Sequence, residues 1–195
     1  KILLERKDID VNVKDSEEMT PLYSAYSAEQ FEACRILTED ERTDVSPDGT
    51  GMNILHHASS GINFGLLQAA LKRCDVNEPD GEGRYPIHYA ASNSVEYLKA
   101  VFDAGADLQT RDEQLKTPLH YAARSSALES LKLLISTPNL DVNAEDCSGL
   151  TPLHYAANTC NVEIIRELLQ CDRINPNAVS KLGGATPIQI SIAKL

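Results

Sequence analysis

Histidine recurs at one position of a repeated sequence, next to threonine and tyrosine, where its chemistry suits catalysis or metal binding. Residues 117 to 124 read TPLHYAAR, and residues 151 to 158 read TPLHYAAN. The histidines of these two copies are His120 and His154, and equivalent histidines are His56 and His88. Imidazole acts as an acid or base near neutral pH and is the commonest metal ligand among side chains. The spacing of the histidines must therefore be weighed against both uses.

The spacing favours a structural role. Neighbouring histidines of this set are 32 to 34 residues apart, and consecutive units of a helical stack pack about 8 to 10 Å apart. Two imidazoles at that separation cannot share one metal ion, because bonds from zinc to nitrogen are only about 2 Å long. We therefore expect each ring to bond the threonine hydroxyl and nearby backbone, which ties a helix to its turn. His57 lies outside the pattern, and we expect a packed or half-exposed residue there rather than a ligand.

The sequence around the histidines repeats along the chain. A Thr-Pro-Leu-His motif or a variant of it occurs six times, at intervals of 33, 32, 32, 34 and 35 residues. A fixed period of this length is the signature of a stacked repeat architecture. The six copies begin at Thr20, Asn53, Tyr85, Thr117, Thr151 and Thr186.

Each unit has the pattern of a turn followed by two helices. Thr-Pro is typical of a helix start, because threonine can cap the helix and proline lacks only an N–H that the first turn leaves unused. Leu153, Ala156 and Ala157 then fall on one inward face, where the small alanines allow a neighbouring helix to approach closely. A second amphipathic helix is predicted from Val162. Loops rich in Asp, Asn and Gly join the units.

These motifs resemble the ankyrin repeat, a unit of about 33 residues with Thr-Pro-Leu-His and an alanine pair in its first helix. The resemblance covers essentially the whole chain and implies an all-α solenoid of stacked helix-turn-helix units with hairpin-like turns. Because neither end has the polar cap that a solenoid needs for solubility, we expect a segment of a longer protein. The resemblance places full repeats at about 15–47, 48–79, 80–111, 112–145 and 146–179, with partial repeats at 1–14 and 180–195.

Three positions depart from the repeat pattern. The first full repeat has Tyr23 in place of the histidine, and the second begins with Asn53 instead of Thr-Pro. In the fourth repeat, Leu115 stands where glycine is usual in the turn. We expect the N-terminal repeats to be less regular and less stable than the third to fifth.

Charge and composition exclude several classes of partner. The 195 residues carry a formal net charge of −11, which repels a phosphate backbone or an anionic membrane surface. No apolar run approaches the roughly 20 residues that span a bilayer. The five cysteines contain no CxxC pair, which favours free thiols in a reducing compartment over a disulfide framework or a zinc site. We therefore expect no nucleic acid, no direct membrane contact and a cytoplasmic or nuclear location.

Motifs of known catalytic and cofactor sites are missing from the sequence. The chain lacks GxxxxGK[ST], GxGxxG, HExxH and GxSxG, and we expect no catalysis, no cofactor and no metal in this segment. Tyr89, Tyr121 and Tyr155 form a recurring set that could stack on bases. A stacking platform needs a basic groove beside it, whereas this chain is acidic. Core packing, with the hydroxyls at the edge, is therefore the favoured interpretation.

The resemblance implies that partners bind on a concave face made by the turn tips and the outward side of each first helix. Three cations on that face, Arg84, Lys116 and Arg124, form a local island that favours a protein or peptide partner with an acidic stretch. The alternative is that these are ordinary solubilising residues. The predicted partner face consists of Glu82, Arg84, Asn93, Glu113, Gln114, Lys116, Arg124, Ser125, Ser148, Leu150, Asn158 and Thr159.

Three roles are compatible with this resemblance. The first is a non-catalytic interaction module, serving as a scaffold, adaptor or regulatory arm of a larger intracellular protein. The second is the cytoplasmic arm of a membrane channel, and the third is the targeting segment of a larger enzyme. We favour the first, because a rigid extended face binds a partner with little cost of ordering.

Overall fold

The computed structural model describes residues 2–181 and 183–194. Regular structure in these residues is helical, without β-strands, which confirms the predicted all-α class. None of the described helices is both long and apolar enough to cross a membrane. A 3-10 helix (Ile2–Glu5) is followed by α1 (Pro21–Ser27), α2 (Phe31–Glu39), α3 (Ile54–Ser59), α4 (Phe64–Ala70), α5 (Pro86–Ala91), α6 (Val95–Asp103), α7 (Pro118–Ser125), α8 (Leu128–Ser136), α9 (Pro152–Thr159), α10 (Val162–Gln170) and α11 (Pro187–Ile192).

The helices form two layers. In the first layer, α3, α5, α7, α9 and α11 pack against one another in chain order. In the second layer, α2, α4, α6, α8 and α10 do the same. Each first-layer helix up to α9 also packs against the helix that follows it in the sequence. The chain therefore stacks helix-turn-helix units, as the repeated sequence predicted.

The core consists of aliphatic side chains from both layers. Leu55, Ile87 and Leu119 of the first layer are at most 1% exposed, and Leu98 and Leu131 of the second layer are fully buried. Each such side chain contributes roughly 1.5 to 3 kcal/mol to stability on burial. The alanine pairs of α5, α7 and α9 are buried as well, so that neighbouring first-layer helices approach closely.

The turns that precede the first-layer helices form a stack of their own. From the third turn onward, a backbone N–H of each turn donates to a carbonyl of the turn before it. No such bond joins residues 15–19 to the second turn in the part of the chain that the structure describes. The first turn thus lacks this link to the stack. The turn bonds are Gly81 N to Thr50 O (3.1 Å), Glu113 N to Glu82 O (3.1 Å), Cys147 N to Gln114 O (2.9 Å) and Lys181 N to Ser148 O (2.9 Å).

One position in these turns requires a left-handed backbone. Gly83 and Gly149 adopt φ values of +71° and +74° there. Leu115 occupies the same position with a φ of +61°, and its side chain is 44% exposed. A left-handed conformation costs a residue with a Cβ roughly 1 to 2 kcal/mol. Leu115 is therefore strained by the turn, and its exposed side chain recovers little of that cost.

The C-terminal end of the stack presents apolar surface. Between α10 and α11 lies a groove of 310 Å³, and its lining includes Leu153, Ile165 and Leu169. Ile188 and Ile192 of α11 are 67% and 62% exposed. A groove of similar volume, 320 Å³, lies at the N-terminal end against α1 and α2. Both end faces resemble the faces that pack against each other inside the stack.

Candidate partner-binding face

The repeated histidine links its own helix to the next repeat. Nδ1 of His120 accepts a hydrogen bond from the backbone N–H of Thr117 at 3.0 Å and lies 2.9 Å from its hydroxyl. Because Nδ1 is an acceptor, the ring proton is on Nε2, which donates to the carbonyl of Leu150 at 3.0 Å. The bond to the threonine hydroxyl and backbone was expected from the sequence. The bond to the following repeat was not, since the motif alone does not show which group the second nitrogen meets.

Burial keeps the rings of His88 and His120 neutral. His88 and His120 are at most 1% exposed, and burial lowers the pKa of each to about 4. Nε2 of His88 and of His154 donates to a carbonyl of the next repeat, at 3.1 Å in both cases. No cluster of three His, Cys, Asp or Glu side chains that could hold a metal ion occurs among the described residues. His88, His120 and His154 therefore link consecutive repeats, whereas Nε2 of buried His56 has no hydrogen-bond partner among the described residues.

Each repeated tyrosine packs between two repeats, as predicted. The ring of Tyr155 lies edge-on to that of His120, with 5.4 Å between the ring centroids. Its hydroxyl donates to Oδ2 of Asp146 at 2.7 Å, while Oδ1 of the same carboxylate accepts the N–H groups of Ser148 and Leu150. The sequence reasoning placed the hydroxyl at the edge of the core but did not identify its acidic partner. The tyrosine thereby holds the turn of its own repeat.

His57 fills the tyrosine position of the second repeat. Its Nε2 lies 2.9 Å from the carboxylate of Asp48, where Tyr155 meets Asp146. The ring packs against Tyr26, with 4.4 Å between centroids. His57 is therefore a half-buried packing residue, in agreement with the expectation from its place in the repeat.

Within the predicted partner face, Arg84 is bound to its own turn. Its Nε donates to Oδ2 of buried Asp80 at 2.9 Å, and a terminal nitrogen lies 2.9 Å from Glu82. The guanidinium also lies 5.2 Å from the centroid of the Tyr89 ring. Two carboxylates thus balance this cation, so that it adds little free positive charge to the island.

Lys116 and Arg124 carry the remaining positive charge of the island, and both lie near Tyr155. The Lys116 ammonium is 5.7 Å from the centroid of that ring and donates to the side-chain oxygen of Gln114. Burial raises the pKa of Tyr155, and the positive charge of Arg124 opposes that rise. Arg124 is exposed in the last turn of α7, and it has no carboxylate within ion-pair distance in the described ranges. The structure therefore places Lys116 against the Tyr155 ring and leaves Arg124 exposed and without an ion pair among the described residues.

The other residues of the predicted partner face are either exposed or hydrogen-bonded to neighbouring turns and repeats. Asn93 donates through its side-chain nitrogen to the carbonyl of Ser60, and its own carbonyl accepts a bond from Ser130 at 2.8 Å. Ser148 and Leu150 are half-buried, and their carbonyls take part in the turn and histidine links. These three residues support the frame more than they form free surface. The exposed members are Glu82, Glu113, Gln114, Ser125, Asn158 and Thr159.

A further set of links was missed by the sequence reasoning. Asn77 donates through its side-chain nitrogen to the carbonyl of Gly105 at 3.1 Å and accepts the N–H of Asp107 at 3.1 Å. We call this two-bond contact with the next repeat an asparagine bridge. Asn12 and Asn143 form the same bridge at other interfaces. The recurring Asp-Val-Asn triplet was the available signal, and it was read only as a turn.

Comparison with protein families accounts for most of the chain. Residues 59–146 match the family model described as ankyrin repeats in three copies, and residues 148–181 match the model described as ankyrin repeat. Together the two matches contain the helices from α4 to α10. No curated protein matches the chain.

Proposed function

Because the chain belongs to the ankyrin repeat family, we propose that it is a non-catalytic interaction module that binds a protein or peptide on the predicted partner face. Ankyrin repeats are generally protein–protein interaction modules and are typically non-catalytic. The module would act as a scaffold, adaptor or regulatory arm in the cytoplasm or nucleus. The repeat bounds of the sequence analysis, from 15–47 to 146–179, are part of this proposal.

Lys116 and Arg124 are cations without an ion pair in the part of the chain that the structure describes, and the contact of Lys116 with Tyr155 is the observation that carries the proposal. The ring is fixed by its bond to Asp146, and Lys116 packs over it. Cations held on a rigid frame lose little conformational entropy when a partner binds, since each freely rotating side chain would otherwise cost about 0.5 to 1.5 kcal/mol. An acidic residue of the partner would find two positive charges already in place.

The overall charge of the chain limits the length of that acidic stretch. The molecule carries a formal charge of −11, and surface charges act over about 8 to 10 Å at physiological salt. Two cations can therefore attract a short acidic stretch, whereas a long polyanion would also meet the negative surface around them. The repeated tyrosines are half-buried and pack against histidines of the preceding repeat, which further disfavours their stacking on bases.

A paired charge reversal tests this assignment. We expect the double variant Lys116→Glu and Arg124→Glu to lose partner proteins that the wild-type chain captures in a pull-down. Lys99→Glu is the matched control, because Lys99 is an exposed cation on α6 of the second layer. Arg84 should be left intact, since its reversal would break the contact with buried Asp80. Equal capture by the double variant and the wild type, at unchanged helicity by circular dichroism, would refute the assignment.

A further inference from the structure

The asparagine bridge is interrupted at the interface between the first and second repeats. Equivalent positions can be identified because an aspartate carboxylate accepts the N–H two residues ahead in each of these loops. Asp44 does so for Ser46 at 2.9 Å, as Asp75 does for Asn77 at 2.9 Å. Ser46 thus stands where a bridging asparagine is found in other repeats. Its side chain is too short to span the same gap and forms no bridge in the part of the chain described.

The interruption leaves two backbone groups of the next loop without their bridge. They are the N–H of Asp75 and the carbonyl of Arg73, which correspond to the groups of Asp107 and Gly105 that Asn77 joins. Neither group forms a hydrogen bond with any other residue in the described ranges. One donor and one acceptor therefore face the space that an asparagine amide fills elsewhere.

A cavity lies at this interface. It has a volume of 320 Å³, and its lining includes Ser46, Arg73 and Asp75. Thr43 also lines it; this residue is 3% exposed, and its hydroxyl has no partner among the described residues. A buried hydroxyl without a partner is costly to the fold, so that a ligand able to reach it would gain a hydrogen bond. Residues of the cavity lining thus carry three polar groups that form no hydrogen bond within the described residues.

A second interrupted interface shows the same association between a missing asparagine and a cavity. Between the third and fourth repeats the bridging position is Gln109, which is one methylene longer than asparagine and forms no bridge in the described residues. Gln109 lines a cavity of 60 Å³. The longer side chain leaves much less space than Ser46 does. Both interfaces without a bridge thus contain a cavity, and the one at Ser46 is the larger of the two.

The charges around the larger cavity select the chemistry of its ligand. Asp44, Asp75 and Glu78 line it, so a carboxylate would be repelled. The Arg73 guanidinium already donates to carbonyls at 2.8 Å, which leaves it little capacity to bind an anion. A guanidinium ligand would suit the acids but could not accept the N–H of Asp75, because it has no acceptor. A primary amide supplies both the donors and the acceptor.

We propose that this cavity binds a primary carboxamide, such as the side chain of glutamine or asparagine. The amide oxygen accepts the N–H of Asp75, and the amide nitrogen donates to the carbonyl of Arg73 and the hydroxyl of Thr43. The first two contacts reproduce the bridge that Asn77 makes within the chain. The proposal goes beyond the interaction module described above and shares no residue with the predicted partner face, so that either can fail without the other.

Titration with capped amino acids, followed by NMR of the backbone amides, tests the site. N-acetyl-glutamine methylamide should shift the Asp75 amide resonance in a saturable way. The glutamate analogue, in which a charged carboxylate of the same shape replaces the side-chain amide, should produce no such shift. The methionine analogue, which has no side-chain amide, should also produce none. An equal Asp75 shift with the methionine analogue, or no saturable shift with the glutamine compound, would overturn the proposal.

Two variants show whether the bound group occupies the space of the missing bridge. Ser46→Asn should fill it, raise the thermal midpoint and weaken glutamine binding at least tenfold, whereas Gln109→Asn should leave that binding unchanged. Thr43→Val keeps the shape of the side chain and removes the unpaired hydroxyl, so it should weaken binding several-fold without lowering stability. Wild-type affinity in both Ser46→Asn and Thr43→Val would contradict the proposed site.

The source of the amide is resolved by two further probes. Propionamide presents the carboxamide alone, and the capped peptide Gly-Gln-Gly presents it in a chain. Saturation by propionamide at the same concentration as the peptide assigns the site to small amides. Tighter binding of the peptide assigns it to a protein segment. Both results require the Asp75 shift to disappear in Ser46→Asn.

Discussion

Nε2 of His120 donates to the carbonyl oxygen of Leu150 at 3.0 Å, so that a side chain of the fourth repeat holds the turn of the fifth. His88 and His154 make the same bond to their following repeats. These histidines therefore act in series along the stack. Removal of one of them weakens a helix start and also an interface between repeats.

Replacement of His120 by alanine should destabilise the protein without affecting any metal content. The change removes the bonds to Thr117 and Leu150 and leaves a cavity at a site that is 1% exposed. We expect a loss of roughly 2 to 4 kcal/mol in the free energy of unfolding. Urea unfolding followed by circular dichroism measures this loss, and Lys99→Ala serves as an exposed control. A stoichiometric metal in the wild type that disappears in His120→Ala would contradict the structural role.

Stability should fall as the pH decreases from about 6.5 to 4. Burial lowers the pKa of His88 and of His120 to about 4 in the folded chain, whereas an unfolded histidine titrates near 6.5. Between these values the unfolded state binds more protons, so its free energy falls relative to the folded state. The stabilisation from the two neutral rings is complete above about pH 6.5 and is lost as the pH approaches 4. Each ring accounts for on the order of 3 kcal/mol.

The chain supplies a matched control for this pH dependence. Gln189 occupies the histidine position of the last motif, and its side-chain oxygen accepts the N–H of Thr186 at 2.8 Å. His120→Gln should therefore keep the bond to Thr117 but remove one titrating group. The slope of unfolding free energy against pH between 4 and 6.5 should decrease by less than half, because His88 and His56, whose pKa values burial also lowers, still contribute. An unchanged slope in His120→Gln would show that other groups set the pH dependence.

Leu115→Gly should stabilise the protein. The left-handed backbone of Leu115, at φ +61°, costs a residue with a Cβ roughly 1 to 2 kcal/mol, and the added flexibility of glycine in the unfolded chain offsets part of the gain. We expect a net increase of about 0.5 to 1 kcal/mol in the free energy of unfolding. Leu115→Ala keeps the Cβ and should change stability by less than half of that. A lower midpoint for Leu115→Gly would mean that the exposed leucine makes a packing contribution that outweighs the strain.

The fold was predictable because one sequence pattern recurs at a fixed period. Thr-Pro and the alanine pair set each first helix, and their repetition fixes the order in which the helices stack. The links between repeats were harder to predict. His120 meets Leu150 across 30 residues, and a motif read within one repeat does not identify a partner in the next.

The charge balance of the partner face could be predicted only in part, for a related reason. Arg84 and Lys116 stand at equivalent positions in their turns, but the turn of Arg84 places Glu82 beside it, while Lys116 has Gln114 as its neighbour. One cation is therefore balanced and the other is not. Ser46 was not singled out, because the absence of a bridge becomes visible only when the bridges of other repeats are known.

The hydrogen bonds between consecutive turns fix the spacing between equivalent surface positions of neighbouring repeats. They hold each turn from the third onward to the one before it, and packed helical units are about 8 to 10 Å apart. An extended peptide advances about 3.3 Å per residue, so a peptide lying along the turns would meet a new repeat about every third residue. Arg84 and Lys116, at equivalent positions of consecutive turns, would then face ligand positions three residues apart, and a one-residue shift of the ligand would bring different side chains to both.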